Sequence, residues 1–323
     1  MNAYIKEVTY FLPDKIIDNH SLSSEFPEWS VEKITDKIGI EKRHIAAKNE
    51  TSADLAVKAA TKLFSESNID KSSIDYVILC TQSPDYFLPT SACLVHHKLD
   101  LPKTTGALDI NQGCSGYVYG LSLAKGLVSS GICKNVLLIT AETYSKFIHK
   151  NDKSNRAIFG DGAAASLISN EGSLKINDFV FGSDGSGSED LIVKNGGARN
   201  ELSTIKDYNP DNHLYMNGSN VFNFTLKSVP SLVKSVLSKN SLTKEEVDYF
   251  VFHQANSFML DTMRRVCKIE KDKFHNDMKE TGNTVSSTIP IVLKNIDLNK
   301  YNKILLAGFG VGYSWAGCIL EKV

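Results

Sequence analysis

Ile74-Asp75-Tyr76-Val77-Ile78-Leu79-Cys80 and Val247-Asp248-Tyr249-Phe250-Val251-Phe252-His253 are two versions of one pattern. Each is a short, unbroken apolar run entered from an aspartate, and such runs fit strands covered on both faces. Each follows a similar lead-in, Asn68-Ile69-Asp70-Lys71 in the first case and Ser241-Leu242-Thr243-Lys244 in the second. Before each lead-in comes a helical stretch, 53–67 and 221–239. The correspondence continues downstream. Asn135-Val136-Leu137-Leu138-Ile139 answers to Lys303-Ile304-Leu305-Leu306-Ala307, and Gly113-Cys114 answers to Gly282-Asn283. Landmarks in one order at nearly constant separation argue for two homologous halves. We place them at 1–172 and 173–323. Strands alternating with helices predict an α/β chain whose sheets are mostly parallel. The stretch 183–212, rich in Gly, Ser, Asp and Asn, reads as a loop region near the join.

Whole-chain properties narrow the function. The 323 residues carry 36 Lys and Arg against 37 Asp and Glu, a formal charge of −1. A protein that neutralises phosphates would show a basic excess, so no nucleic-acid partner is expected. Hydrophobic residues at 42% and charged residues at 23% describe a chain able to bury a core, not a disordered one. The apolar runs are strand-sized and the N-terminus lacks a basic stretch leading into an apolar one, so neither membrane insertion nor a secretory signal is expected. Cys80, Cys93, Cys114, Cys133, Cys267 and Cys318 are scattered, with no CxxC pair. That usage suits a reduced, cytoplasmic setting and offers no metal site.

Three residues stand where chemistry could occur. Cys114 ends Asn111-Gln112-Gly113-Cys114-Ser115-Gly116, where an apolar strand gives way to a helix. Tyr117, Leu121, Ala124 and Val128 then form one apolar helical face. A thiol at a helix N-terminus has its thiolate favoured by unpaired N–H groups and the dipole. The alternative is an inert core cysteine. His253 opens His253-Gln254-Ala255-Asn256 at the end of a buried strand, where open α/β sheets bind ligands. It could instead cap the following helix. Asn283, in Gly282-Asn283-Thr284, could be a turn residue, but the duplication sets it opposite Cys114 at the start of the matching helix. Finally, Gly308-Phe309-Gly310-Val311-Gly312-Tyr313 follows the last core strand. Its glycines let backbone N–H groups approach closely, and an oxyanion hole built from the Val311 and Cys114 N–H groups fits better than a phosphate loop.

Gly113-Cys114-Ser115-Gly116, His253-Gln254-Ala255-Asn256, Gly282-Asn283-Thr284, Phe159-Gly160-Asp161-Gly162-Ala163-Ala164, Gly308 to Tyr313 and the early Gly39-Ile40-Glu41-Lys42-Arg43-His44-Ile45 together resemble the β-ketoacyl-acyl-carrier-protein synthase III family of the thiolase superfamily. The matches run through nearly the whole chain in the family's order. The resemblance implies a duplicated thiolase-like fold, five-layered αβαβα with two mixed sheets, and a homodimer. It implies a decarboxylative Claisen condensation of an acyl thioester, from acyl-CoA or acyl carrier protein, with malonyl-acyl-carrier protein. Cys114 would carry the acyl group, and His253 and Asn283 would stabilise the malonyl enolate. No metal or redox cofactor is implied; coenzyme A or phosphopantetheine thioesters are the substrates.

Other roles follow from the same resemblance. Asn256 would order a water or the substrate. Phe222, Asn217 and Gly218 would border the pantetheine tunnel. Leu88 falls where a dimer partner closes the acyl pocket, with plain core packing as the alternative. Trp29 and Lys153 fall near the family's coenzyme A contacts, although Trp29 is displaced and Lys153 replaces an Arg. Phe258 stands where the family's carrier-protein motif has an Arg, so Gln254, Arg264 and Arg265 are the candidates for carrier-protein binding. A non-condensing acyltransferase of the same fold, acting on an amine or hydroxyl in a specialised pathway, is the rival reading. A hydroxymethylglutaryl-CoA synthase-like enzyme would need a Glu general base after the first strand of the repeat, where Thr81-Gln82-Ser83 offers no carboxylate. A non-catalytic binding module would have no reason to hold a Cys, a His and an Asn at these crevice positions.

Overall fold

The computed structural model describes residues 1–202 and 209–323. Of the predicted loop region, 203–208 lie outside the described residues. Thirteen strands are present: β1 (Tyr4–Phe11), β2 (Lys15–Asp18), β3 (Lys42–Ile45), β4 (Tyr76–Cys80), β5 (Gly106–Ile110), β6 (Asn135–Glu142), β7 (Gly162–Ser169), β8 (Leu174–Ser183), β9 (Leu191–Ile192), β10 (Tyr215–Met216), β11 (Tyr249–Phe252), β12 (Lys303–Gly310) and β13 (Ser314–Lys322). The helices are α1 (Asn19–Glu25), α2 (Val31–Ile38), α3 (Ser52–Ser67), α4 (Ser91–Lys98), α5 (Gly116–Ser129), α6 (Lys153–Ile158), α7 (Gly218–Lys239), α8 (Ser257–Val266) and α9 (Thr288–Asn295). No helix among the described residues is long and apolar enough to cross a membrane.

Nine strands form one sheet in the order β11-β12-β13-β8-β1-β7-β6-β4-β5. The expectation of two mostly parallel sheets is corrected here. Near the centre of this order β1 pairs with β8, Tyr4 opposite Lys175 and Ile5 opposite Leu174. Only β4–β5, β4–β6 and β11–β12 are parallel. The reason is connectivity. Helical crossovers link the parallel strands, whereas β12 and β13 are joined by a short turn and pair antiparallel, and β1 lies between β7 and β8, antiparallel to both.

Layering follows from which helix faces are apolar. Helix α3 begins at a capping box, Thr51 with Asp54, and covers β1, β6 and β7 while α4 covers β4 and β5. On the other outer face α7 covers β8, β12 and β13. Between the two parts of the sheet lie α5, which touches β4, β6, β7, β12 and β13, and α9, which touches β1, β7 and β11. That is the expected αβαβα stack. Tyr117, Leu121, Ala124 and Val128 of α5 are all buried in this middle layer. Burying such side chains contributes about 1.5–3 kcal/mol apiece for the larger ones. The glycines of α5 are explained by close approach of side chains. A Cβ on Gly116 would lie 2.3 Å from Cys80 Sγ, and one on Gly120 would lie 2.6 Å from Leu138 Cδ1.

Candidate active site

Cys114 sits one residue before Ser115, the N-cap of α5, and is buried. Strand β12 runs directly against it. A Cβ on Gly308 would fall 2.7 Å from Ser115 Cα, and one on Gly310 would fall 2.7 Å from Cys114 Sγ. These glycines let the backbone pass the thiol, and the N–H groups of Val311 and Cys114 favour its charged form. A serine relay fixes the loop from behind. Ser115 Oγ and Ser314 Oγ are 2.7 Å apart, and Ser314 Oγ donates to the Val311 carbonyl at 2.9 Å. Gly310→Ala is therefore expected to slow alkylation of the Cys114 thiol by roughly 100-fold, since such misplacement costs that order. The rate of thiol labelling by a small alkylator checks it; an unchanged rate would contradict the packing described.

The thiol is not the ready thiolate that its helix position suggests. Desolvation pushes Cys114 up to about 12, against the pull of the two N–H groups. Burial outweighs the helix terminus because the charged sulfur would lose its water.

His253 follows β11 and is buried, with its N–H bonded to the Ala307 carbonyl of β12. Its Nδ1 lies 2.8 Å from Thr288 Oγ1, and its ring meets Phe309 edge-on at 6.1 Å. Desolvation lowers its pKa to about 3, so the ring is neutral at working pH. Asn283 is buried too. Its Oδ1 accepts from the Val285 N–H at 2.9 Å, which leaves its amide as the free donor. Val285 has φ 55°, a left-handed backbone that β-branched residues avoid at a cost of about 1–3 kcal/mol. The Phe159-Gly160-Asp161 stretch braces this loop. Asn283 N–H donates to the Ile158 carbonyl and Gly160 N–H to the Asn283 carbonyl, each at 3.0 Å. Asp161 in turn accepts from the N–H groups of Ala46 and Ser145. Strand β12 carries neighbours of both Cys114 and His253, and Thr288 Oγ1, which bonds His253 Nδ1 and the Val285 carbonyl, connects His253 to the loop of Asn283.

The remaining candidates divide. Asn256 caps α8, its Oδ1 accepting from Met259 N–H at 2.9 Å. Asn217 caps α7, Gly218 begins that helix, and Phe222 stacks on the exposed Phe258 with ring centres 5.7 Å apart. Lys153 and Trp29 are together, the amine 5.4 Å above the indole and 2.7 Å from Glu28. Leu88 is 83% exposed beside Phe87 at 85%, which removes core packing as its explanation. Two carrier-protein candidates are corrected. Gln254 is buried, donating to the Phe252 carbonyl and accepting from Asp277 N–H, so it cannot meet a partner at the surface. Arg264 is turned inward onto Asp261 and the Ile269 carbonyl. Arg265, also paired with Asp261, keeps an exposed guanidinium. The sequence reading missed Glu142, a buried carboxyl at the end of β6 that bonds Gln82 and Ser83. It lies beside the very loop that was searched for a carboxylate, but it comes from another strand.

Two family models match this chain, 3-oxoacyl-acyl-carrier-protein synthase III over residues 108–185 and the C-terminal model of the same family over 237–322. A Campylobacter jejuni protein named as a putative 3-oxoacyl-acyl-carrier-protein synthase 3 is 34% identical, covering 99% of this chain and 94% of that one. The chain belongs to the 3-oxoacyl-acyl-carrier-protein synthase III family. A Lactococcus lactis β-ketoacyl-acyl-carrier-protein synthase III is 36% identical over 99% of both chains. A solved 3-oxoacyl-acyl-carrier-protein synthase III superposes with a TM-score of 0.95 at 47% identity, covering 99% of this chain and 100% of that one. This synthase III is accordingly an acyltransferase of the condensing kind, with the thiolase-type fold that the resemblance implied.

Proposed function

We propose that the enzyme takes an acyl group from acyl-CoA or acyl carrier protein onto Cys114 and condenses it with malonyl-acyl-carrier protein. Attack by the Cys114 sulfur on the donor thioester forms a tetrahedral oxyanion facing the N–H groups of Val311 and Cys114. The thiol proton leaves with the departing carrier thiolate. The malonyl thioester then binds with its carbonyl oxygen toward the neutral His253 ring and the Asn283 amide. Breaking the bond to the carboxylate releases carbon dioxide and leaves an enolate on that oxygen. The enolate carbon attacks the acyl-Cys114 carbonyl, and the Cys114 thiolate departs. Donors fixed in a buried site stabilise developing charge without reorganising. No metal or redox group is needed for these steps. The observation that carries this reading is the passage of β12: Gly310 lies against the Cys114 sulfur while Ala307 and Phe309 meet His253, which Thr288 ties to the loop of Asn283. Mass spectrometry of the product after incubation with an acyl-CoA panel and malonyl-acyl-carrier protein tests it. A β-ketoacyl product with one carbon dioxide per turnover is expected; acyl transfer to an amine or hydroxyl without carbon dioxide would favour the non-condensing rival.

The carrier protein would meet the surface around Phe258 and Arg265 of α8. A second copy of the chain would cover β5, which pairs only with β4 and shows Leu108 at its edge, together with the exposed Phe87 and Leu88. Sedimentation is expected to give twice the 35.6 kDa chain mass. Leu88→Glu is expected to weaken that dimer by at least roughly tenfold, as burying a charge costs. A wild-type monomer at micromolar concentration would refute the dimer.

A further inference from the structure

Glu142 is fully buried at the junction of three segments, and nothing in the proposed reaction uses it. Its Oε1 and Oε2 share the Gln82 N–H at 3.0 and 3.2 Å. Oε2 lies 2.8 Å from Ser83 Oγ, and Oε1 is 3.5 Å from Ser286 Oγ. Gln82 is itself pressed on the nucleophile loop, because a Cβ on Gly113 would lie 2.5 Å from its Oε1. Tyr144 Oη donates to that same Oε1 at 2.5 Å. Ser286 belongs to the loop that carries Asn283, which Ser287 also ties to Thr140 at 2.8 Å. One carboxyl therefore touches both the support of Cys114 and the loop of Asn283.

We propose that Glu142 is a positioning residue that holds the Cys114 and Asn283 loops in mutual register, and that it does so as a neutral acid. The inference rests on reading Cys114 and Asn283 as the working pair. Full burial without a balancing cation supports the neutral form, against the pull of Gln82, Ser83 and Ser286, which can donate to the carboxyl. No Lys, Arg or His bonds Glu142 among the described residues. Ser83 Oγ can accept its proton, because that hydroxyl can pass its own hydrogen to Ser52 Oγ at 2.7 Å, and Ser52 reaches Thr143 Oγ1 at 3.2 Å. The ionisable groups facing it are Cys80 of β4, Cys114 before α5, Tyr144 after β6 and Asp161 before β7, all of them acids. A second negative charge among them would oppose the thiolate and the enolate alike. Desolvation accordingly raises the Glu142 carboxyl to about 8.

The sign of the linkage is definite. The folded chain keeps this proton up to about pH 8, while the unfolded chain releases it near 4.5. The stability it contributes is complete below 4.5 and is lost as pH rises through 8. Glu142→Gln keeps an acceptor for Gln82 and a donor for Ser83 but cannot ionise. Its melting temperature relative to wild type is expected to climb steadily between pH 5 and pH 8, a measurement that needs no assumption about the reaction. A constant difference across that range would overturn the neutral-acid assignment. In the reaction, wild-type kcat is expected to fall with a single ionisation near pH 8, and Glu142→Gln is expected to stay within about threefold of wild type at pH 7 and to lose that alkaline fall. Glu142→Ala is expected to lose roughly 100-fold in kcat with KM little changed, and Glu142→Gln restores it. A Gln variant as inactive as the Ala variant, or one with the wild-type alkaline limb, would overturn the proposal. Should the Ala variant not fold, the Gln profile decides alone. If wild type itself never carries acyl on Cys114, the functional reading fails instead, and the melting series still judges Glu142.

Discussion

Cys114→Ala is expected to abolish acyl-enzyme formation and to lower condensation by roughly 1,000-fold or more. The side chain it removes is buried, so the fold must be checked. The change is nonetheless small: one sulfur is lost beneath Gly310, in a loop held by backbone contacts and by Ser115 with Ser314. Circular dichroism of the variant should match wild type, while intact mass shows no acyl adduct. The raised thiol pKa sharpens the expectation. A sulfur held near pKa 12 by burial is a poor non-specific nucleophile, so acylation must come from the site around it. Adduct formation at undiminished rate in Cys114→Ala would transfer the nucleophile's role to another residue.

The second large effect separates the two halves of the reaction. Asn283→Ala and His253→Ala are each expected to keep Cys114 acylation within about threefold and to lose about 100- to 1,000-fold in decarboxylation, the usual consequence of removing one donor from an oxyanion site. The division follows from position. The N–H groups of Val311 and Cys114 favour charge at the sulfur, whereas His253 follows β11 and Asn283 lies in the loop before α9. Release of labelled carbon dioxide and acyl-enzyme mass, read on the same samples, checks it. Loss of acylation in Asn283→Ala with its fold intact would contradict the division.

Much of this was legible in the chain because it rests on local pattern. The repeat placed Asn283 opposite Cys114, and the apolar face of α5 appeared as a simple helical period. The buried strands 76–80 and 249–252 were visible as unbroken apolar runs. What escaped was set by distant contacts. Strand direction depended on which strands lie side by side, such as β1 between β7 and β8, which no periodicity reveals. Gln254 was a candidate for the carrier protein from its place beside the family's motif, yet it satisfies the backbone of Phe252 and Asp277 inside the fold. The helix terminus beside Cys114 suggested a thiolate, but the competing desolvation depends on burial beneath β12, whose Gly310 comes from the other end of the sequence. Glu142 was missed for the same reason: its partners Ser83 and Ser286 come from opposite halves.

A single-turnover experiment addresses the convergence of these groups most directly. Enzyme preloaded with an acyl group on Cys114 would be mixed with malonyl-acyl-carrier protein and quenched over time. Disappearance of the acyl mass from Cys114 and release of carbon dioxide are predicted to share one rate and a one-to-one stoichiometry. Carbon dioxide released while the acyl group stays on Cys114, or an acyl group lost to water without carbon dioxide, would contradict a single shared site.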